Sequence, residues 1–376
     1  MIIGFDAKRL YNNFTGLGNY SRTLLKNLSL FFPDNDYYLY TPKIKISEET
    51  QEFFNNPVFK TVLPANHKLF WRSFSILKNL KIDNIQLYHG LSHEIPFKIS
   101  DTFIKSIVTI HDLIFKKYPE TYSAIDKIIY DFKFKYSCTH ANKIIAISNS
   151  TKMDIVDYYG INPNKIEVIY QSCNHIFFQL KNEKEVSSIL NKYNIPSDYL
   201  LYVGSIIPRK NLITIIKSYK YLPKDLRIPI VVIGKGKEYK KKTQQYAKKA
   251  RIDNLIIWID NLSDDNHLQA FYQNAKVFIY PSLIEGFGLP VVEALLSKVP
   301  VITSNISSLP EAGGPNSYYI DPVNAEEMAV AIEKIYTDAD YSKKMIEKGY
   351  IYAKENFNSL KTSKKVIDLY EKILHQ

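Results

Sequence analysis

Two carboxylates eight positions apart, Glu285 and Glu293, sit on either side of a glycine-rich turn: Pro281-Ser282-Leu283-Ile284-Glu285-Gly286-Phe287-Gly288-Leu289-Pro290-Val291-Val292-Glu293. Paired carboxylates are the tools of glycoside hydrolysis, so their separation decides what they can do. On one helix this spacing puts them ~12 Å apart. A retaining hydrolase pair needs ~5 Å and an inverting pair ~9.5 Å at most. The spacing suits two separate grips on one extended ligand, with Glu285 accepting hydrogen bonds from a sugar and Glu293 from a ribose. Gly286 and Gly288 let the backbone approach closely. Pro290 fits the first turn of a helix, whose open N–H groups attract anions and polar oxygens. The plainer account is a solvated loop Glu and a helix Glu near its dipole. It requires the Gly, Pro and Glu to fall on one strand–turn–helix by coincidence.

A second constellation, Val203-Gly204-Ser205-Ile206-Ile207-Pro208-Arg209-Lys210-Asn211-Leu212, places two bases after a glycine turn. The apolar run before it reads as a strand and the residues after it as a helix, a common setting for phosphate. Arg209 and Lys210 would neutralise a diphosphate, the Arg gripping two oxygens at once. In the first turn of an exposed helix they oppose its dipole, which argues for an anionic ligand. Gly16-Leu17-Gly18 lacks the full dinucleotide fingerprint and reads equally as a tight turn. His111 and Asp112 end another apolar run, where a lone His is more often structural than catalytic.

Other strings carry less. His89-Gly90-Leu91-Ser92-His93-Glu94-Ile95-Pro96 has His at i and i+4, a zinc spacing only on a helix. Gly90 and Pro96 make it a loop and no third ligand is at hand, so no metal is expected. His67-Lys68-Leu69-Phe70-Trp71-Arg72 and Phe132-Lys133-Phe134-Lys135-Tyr136 mix bases with aromatics. Each is either an amphipathic helix covering its own core or a contact with an anionic membrane face.

These residues need elements to position them. Short apolar runs at 2–5, 37–40, 85–88, 104–110 and 143–147 read as buried parallel strands. Helical patterns span 19–30 and 123–139, and Ser148 or Ser150 caps a helix through residue 159. After a polar stretch at 181–195, fit for a linker or a peripheral helix, strands restart at 199–203, 230–233, 255–258, 277–280 and 300–303. Strands alternating with helices predict an α/β chain of two doubly wound, Rossmann-like domains facing a central cleft. Ligands then sit beyond the carboxyl ends of the strands, where Gly204, Glu285 and His111 fall.

The totals agree. The chain has 376 residues, enough for two cores, and is 45% hydrophobic, which excludes a disordered chain. Lys+Arg 49 against Asp+Glu 38 gives +11, a balance that favours polyanionic partners. Residues 1–180 hold 21 basic and 16 acidic side chains, so the charge is spread between the halves and no nucleic-acid arm is expected. Cys138 and Cys173 are too few for a disulfide framework. No cleavable leader and no apolar run of ~18 residues is read, so the expected location is cytoplasmic, with peripheral contact on the inner membrane face still open.

The Glu285–Glu293 string resembles the E-x7-E signature of the GT4-type retaining glycosyltransferases. Further landmarks over most of the chain are similar to that family: the Gly204 turn, Pro300-Val301-Ile302-Thr303-Ser304-Asn305 with Leu309-Pro310-Glu311, Ile110-His111-Asp112-Leu113, and Ile145-Ala146-Ile147-Ser148-Asn149-Ser150. The resemblance implies the GT-B fold, with an acceptor-binding domain over 1–180, a nucleotide-sugar domain over 181–355, and a helix over 356–376 crossing back to the first. It implies donor binding by Gly16, Gly18, Gly204, Ser205, Arg209, Lys210, Glu285, Gly286, Phe287, Gly288, Leu289 and Glu293. His111 would contact the donor sugar, and Asp112 would orient that His or face the acceptor. Catalysis would fall to His111, Asp112, Arg209, Lys210 and Glu285, without cofactor or metal. Many members carry Arg directly after the glycine where this chain has Ser205, and Arg209 would replace it. The nearest resemblance is to bacterial mannosyltransferases of O-antigen or capsule synthesis, implying GDP-mannose as donor and a glycan or lipid-linked acceptor. A nucleotide-sugar epimerase and a non-catalytic sugar-nucleotide-binding subunit are the other readings.

Overall fold

The computed structural model describes residues 1–65, 70–262 and 264–376. The chain divides into two compact units: Met1–Ser172 with Asn358–Gln376, and Cys173–Phe357. In the first, β1 (Ile2–Asp6), β2 (Asp36–Tyr40), β3 (Phe59–Val62), β4 (Leu87–Gly90), β5 (Lys105–Ile110), β6 (Lys143–Ala146) and β7 (Ile166–Val168) form, among the described residues, one seven-stranded sheet. Its order is β3-β2-β1-β4-β5-β6-β7 and every pair is parallel. Both faces are covered. On β5, Ile107 packs with Phe5, Leu25 and Tyr370, whereas Val108 and Ile110 pack with Trp71, Leu80 and Phe134. Burial on two faces is why this strand reads as a nearly continuous apolar run.

The helix Gly16–Phe31, which follows the short helix Lys8–Asn12, begins earlier than the pattern predicts, so Gly16-Leu17-Gly18 is its first turn rather than a separate tight turn. Gly18 donates its N–H to Asn13 Oδ1 at 3.1 Å, and a Cβ on Gly18 would lie 1.7 Å from the Asn13 carbonyl oxygen. Only glycine permits that approach. Helix Ser359–Leu374 also belongs to this unit. Asn358 caps it by accepting the Lys361 N–H, and Val366, Ile367, Tyr370 and Ile373 enter the core beside Phe5.

In the second unit, β8 (Leu200–Val203), β9 (Ile230–Ile233), β10 (Ile256–Ile259), β11 (Val277–Tyr280), β12 (Val301–Ser304) and β13 (Tyr318–Ile320) form a sheet of six described strands. The order is β10-β9-β8-β11-β12-β13, again all parallel. The polar stretch before it holds helix Glu183–Lys192, started by a reciprocal cap between Asn182 and Glu185. Strands β3, β7 and β13 escape the sequence pattern because each is a short sheet edge, incompletely buried.

Strand order reverses between β1 and β4 in one sheet and between β8 and β11 in the other. At such a point successive connections leave in opposite directions and open a crevice at the carboxyl ends. Gly204 directly follows β8 and Pro281 directly follows β11. The two strongest motifs therefore meet at one crevice of the second unit.

Candidate functional site

Strand β11 ends at Tyr280, and the chain runs through Pro281–Gly288 into helix Leu289–Leu296 with Pro290 in its first turn. Gly288 takes φ +118, a conformation that residues with a Cβ rarely adopt, so the backbone demands glycine there. Serines pin the loop from behind. Ser307 Oγ donates to the Glu285 carbonyl at 2.7 Å and receives the Glu285 N–H at 3.2 Å. Ser308 Oγ reaches the carbonyls of Glu285 and Phe287, both at 2.9 Å. The Phe287 ring is buried edge-on against Phe357, which leaves its backbone as the part able to meet a ligand.

The Glu285 carboxylate is 9% exposed and is held on several sides. Lys210 Nζ donates to Oε1, and Arg209 Nη1 lies 3.2 Å from Oε2. Ser282 Oγ donates to Oε1 at 2.6 Å, as does the Tyr280 hydroxyl at 3.2 Å. Arg209 also donates to the Ile284 carbonyl at 3.0 Å, and its own carbonyl accepts the Leu283 N–H. Arg209 and Lys210 do not occupy the first turn of an α-helix, as their spacing suggests. They lie in a 3₁₀ turn, Pro208–Lys210, and the helix Leu212–Ser218 starts only after Asn211, which takes a left-handed φ of +58. The reason is local: Pro208 cannot donate and Asn tolerates that conformation. Both cations are thereby turned toward Glu285.

Two cations face one carboxylate, so the cluster keeps a net positive charge. Burial opposes the charged form of Glu285, but Lys210 and then Arg209 outweigh it and hold its pKa below the usual value. Ser205 follows Gly204 on the exposed rim, its carbonyl accepting from Tyr202.

Glu293 lies just over one turn along in the helix Leu289–Leu296 and accepts from the Tyr272 hydroxyl at 3.0 Å. Burial lifts its pKa to about 7, with Tyr272 lowering it and Asp265 raising it less. The folded value exceeds the ordinary 4.5, so folding takes up a proton between those values, and stability falls as pH rises through that window. If Glu293 holds a ribose hydroxyl, as the family resemblance implies, its ionised form is the stronger acceptor. Nucleotide affinity should therefore rise between about pH 6 and pH 8, and Glu293→Gln should bind weakly and without that slope. Calorimetric titration across the range checks this; an unchanged slope in the variant removes Glu293 from the contact.

The remaining expected residues lie in the first unit. His111, at the end of β5, is buried, and its Nε2–H donates to the Leu91 carbonyl at 2.8 Å. Its pKa falls to about 4, chiefly from burial, so the ring is neutral at pH 7 with its lone pair on Nδ1. The Tyr20 ring stands edge-on to it at 4.6 Å. Asp112 Oδ1 accepts the Ile114 N–H at 3.1 Å, in the turn that leads into the short helix Ile114–Lys117. His89 lies on β4 and its ring nitrogens face Tyr370 and Thr109, while His93 stacks on Phe134. Among the described residues no three His, Cys, Asp or Glu side chains are grouped to hold a metal ion.

Of His67-Lys68-Leu69-Phe70-Trp71-Arg72, residues 67–69 fall outside the described residues. Residues 70–75 are turns rather than helix, and Trp71 is buried. Arg72 is committed to Asp6, through Nε at 3.0 Å and Nη2 at 2.5 Å, and to Glu94 at 3.0 Å. In the second string Phe134 is buried and Lys133 pairs with Glu94 at 3.0 Å. Sequence reasoning missed Tyr272, Tyr280, Ser282, Ser307 and Ser308. Ser282 stands inside the quoted motif and Tyr280 ends the predicted strand, so both could have been found there. Tyr272 carries no local signal.

Two parallel doubly wound sheets with a cationic, carboxylate-bearing loop at a strand-order reversal fit the GT-B type of glycosyltransferase. Residues 182–352 match the family Glycosyl transferases group 1, and residues 16–175 match Glycosyltransferase Family 4. The chain belongs to this GT4-type family of glycosyltransferases. It is 27% identical to O-antigen chain mannosyltransferase B of Escherichia coli, over 72% of this chain and 70% of that protein. It is 29% identical to O-antigen chain mannosyltransferase RfbU of Salmonella typhimurium, over 71% and 69%. Among solved structures it is similar to Anabaena HepE in complex with UDP and glucose (TM-score 0.76, 15% identity, 98% and 99% covered). It also resembles WaaG, a glycosyltransferase involved in lipopolysaccharide biosynthesis (TM-score 0.72, 16% identity, 98% and 99% covered).

Proposed function

We propose that this chain is a retaining, metal-independent hexosyltransferase that moves mannose from GDP-mannose to a glycan or lipid-linked acceptor in surface polysaccharide synthesis. Its place of work would be the cytoplasmic face of the membrane. The observation that carries the reading is the Arg209–Lys210–Glu285 cluster, two cations on one buried carboxylate at the carboxyl ends of β8 and β11. The surplus charge suits a diphosphate, and fixed cations aimed at a leaving diphosphate supply electrostatic catalysis without a metal ion. Glu285 and the backbone of 287–289 would hold the hexose and Glu293 the ribose. The mannosyltransferase names of the two relatives support the sugar. No helix among the described residues is long and apolar enough to cross a membrane, so a lipid-linked acceptor would be met from the surface.

A thermal-shift screen with GDP-mannose, UDP-glucose, UDP-GlcNAc and the free nucleotides, all with EDTA, tests the reading, since a ligand held only by the folded state raises Tm. GDP-mannose should give the largest shift. A larger shift with a UDP-sugar would reassign the donor. No shift from any nucleotide, in folded protein, would sink the donor site. Conversion of donor without an acceptor would point to an epimerase instead, and binding without any turnover to a non-catalytic subunit.

A further inference from the structure

The helix Ala124–His140 turns an apolar stripe away from its own core. Ile125, Ile128, Ile129 and Phe132 follow the i, i+3, i+4, i+7 spacing of one helix face and are 71%, 71%, 43% and 63% exposed. The buried side of the same helix is formed by Phe134, Ser137 and Cys138. The stripe does not end with the helix. Phe132 lies 5.8 Å from Phe97, which stacks on Phe74 at 5.0 Å and touches Tyr136 at 4.5 Å. Phe74 is itself 52% exposed. A contiguous aromatic and aliphatic surface of this kind marks a contact with something apolar.

Its charges say what that something is. Lys78, Lys98 and Lys135 are exposed around it. Two of the neighbouring acids are neutralised, Asp131 by Lys116 at 2.6 Å and Glu94 by Arg72 and Lys133. Asp126 accepts from the Ser123 hydroxyl at the helix start and keeps its charge, so the three lysines leave a positive surplus. An apolar stripe framed by uncompensated lysines complements an anionic bilayer, in which rings and isoleucines enter the interface and ammonium groups meet lipid phosphates. A second copy of this chain would set the same lysines against one another, so it fits less well.

We infer that the surface of Ile125, Ile128, Ile129, Phe132, Phe97 and Phe74 docks the first unit on an anionic lipid bilayer. The inference rests on the proposed lipid-linked acceptor for its purpose, though not for the binding itself. The test is co-sedimentation of the full chain with vesicles of phosphatidylglycerol and phosphatidylcholine, without donor or acceptor. The wild type should sediment with mixed vesicles, less at high salt, and far less with phosphatidylcholine alone. The double variant Ile128→Ser/Phe132→Ser should lose at least tenfold in partition while keeping its melting temperature and its nucleotide-induced shift, because that site lies in the other unit. Equal sedimentation of wild type and variant, or no binding by the wild type, would overturn the inference. So would a dimer in light scattering that the variant abolishes, which would assign the stripe to a second copy. The vesicles carry no sugar, so a failure of the transferase reading leaves this result untouched.

Discussion

Lys210→Ala should lower kcat by about 10²–10³-fold, the size of effect seen when one fixed group stabilising transition-state charge is removed. The loss should appear with the sugar donor at saturation, not only in KM, because negative charge on the leaving diphosphate grows as the bond breaks. The side chain contacts both the Tyr280 hydroxyl and Glu285, and it stands 4.8 Å from the Tyr280 ring centroid. Its removal therefore also strips Glu285 of the strongest charge holding its pKa down. Steady-state kinetics with donor in excess check the rate. A variant with unchanged kcat and raised KM would show that Lys210 binds ground state and transition state alike.

Glu285→Gln should separate nucleotide binding from turnover. The free site holds two cations against one carboxylate, and a diphosphate brings negative charge of its own. Nucleotide affinity should therefore be kept or improved in the variant, while turnover with the sugar donor falls about 10²-fold through loss of a charged hydrogen-bond acceptor. Without nucleotide, the variant should be less stable by about 3 kcal/mol, the cost of leaving buried charges without their partner. The sign with pH is fixed. The folded pKa is below the ordinary 4.5, so this stabilisation is present above that value and is lost as pH falls through the lower folded one. The variant's acid unfolding should lack that component. Equal stability of the two proteins at pH 7, together with equal turnover, would remove Glu285 from both roles.

Much of this was legible because the informative residues are local. Buried parallel strands such as Ile230-Val231-Val232-Ile233 are uniformly apolar, and the motif glycines and prolines follow strands directly. What stayed hidden depends on distance along the chain. Ser307 and Ser308 hold Glu285 across 22 and 23 residues, and Asp6 meets Arg72 across 66. Neither contact leaves a periodicity to read. Gly16-Leu17-Gly18 misled in the opposite direction: glycine suggests a turn, but Gly18 is needed inside a helix because Asn13 crowds it. Arg209 and Lys210 carried the right charge and the wrong geometry, since the left-handed Asn211 separates them from the helix.

The helix Ser359–Leu374 completes the core of the first unit, where the Tyr370 hydroxyl meets His89 Nδ1 at 2.5 Å. Its residues leave the ribosome after all of 173–357, so the second unit is an insertion into the first in the order of synthesis. During translation the second unit has every residue it needs while the first still lacks one wall, with Phe5 and His89 waiting for their partners. The nascent chain thus holds an open apolar face until the helix Ser359–Leu374 emerges, and a ribosome stalled before residue 359 would leave that face to chaperones.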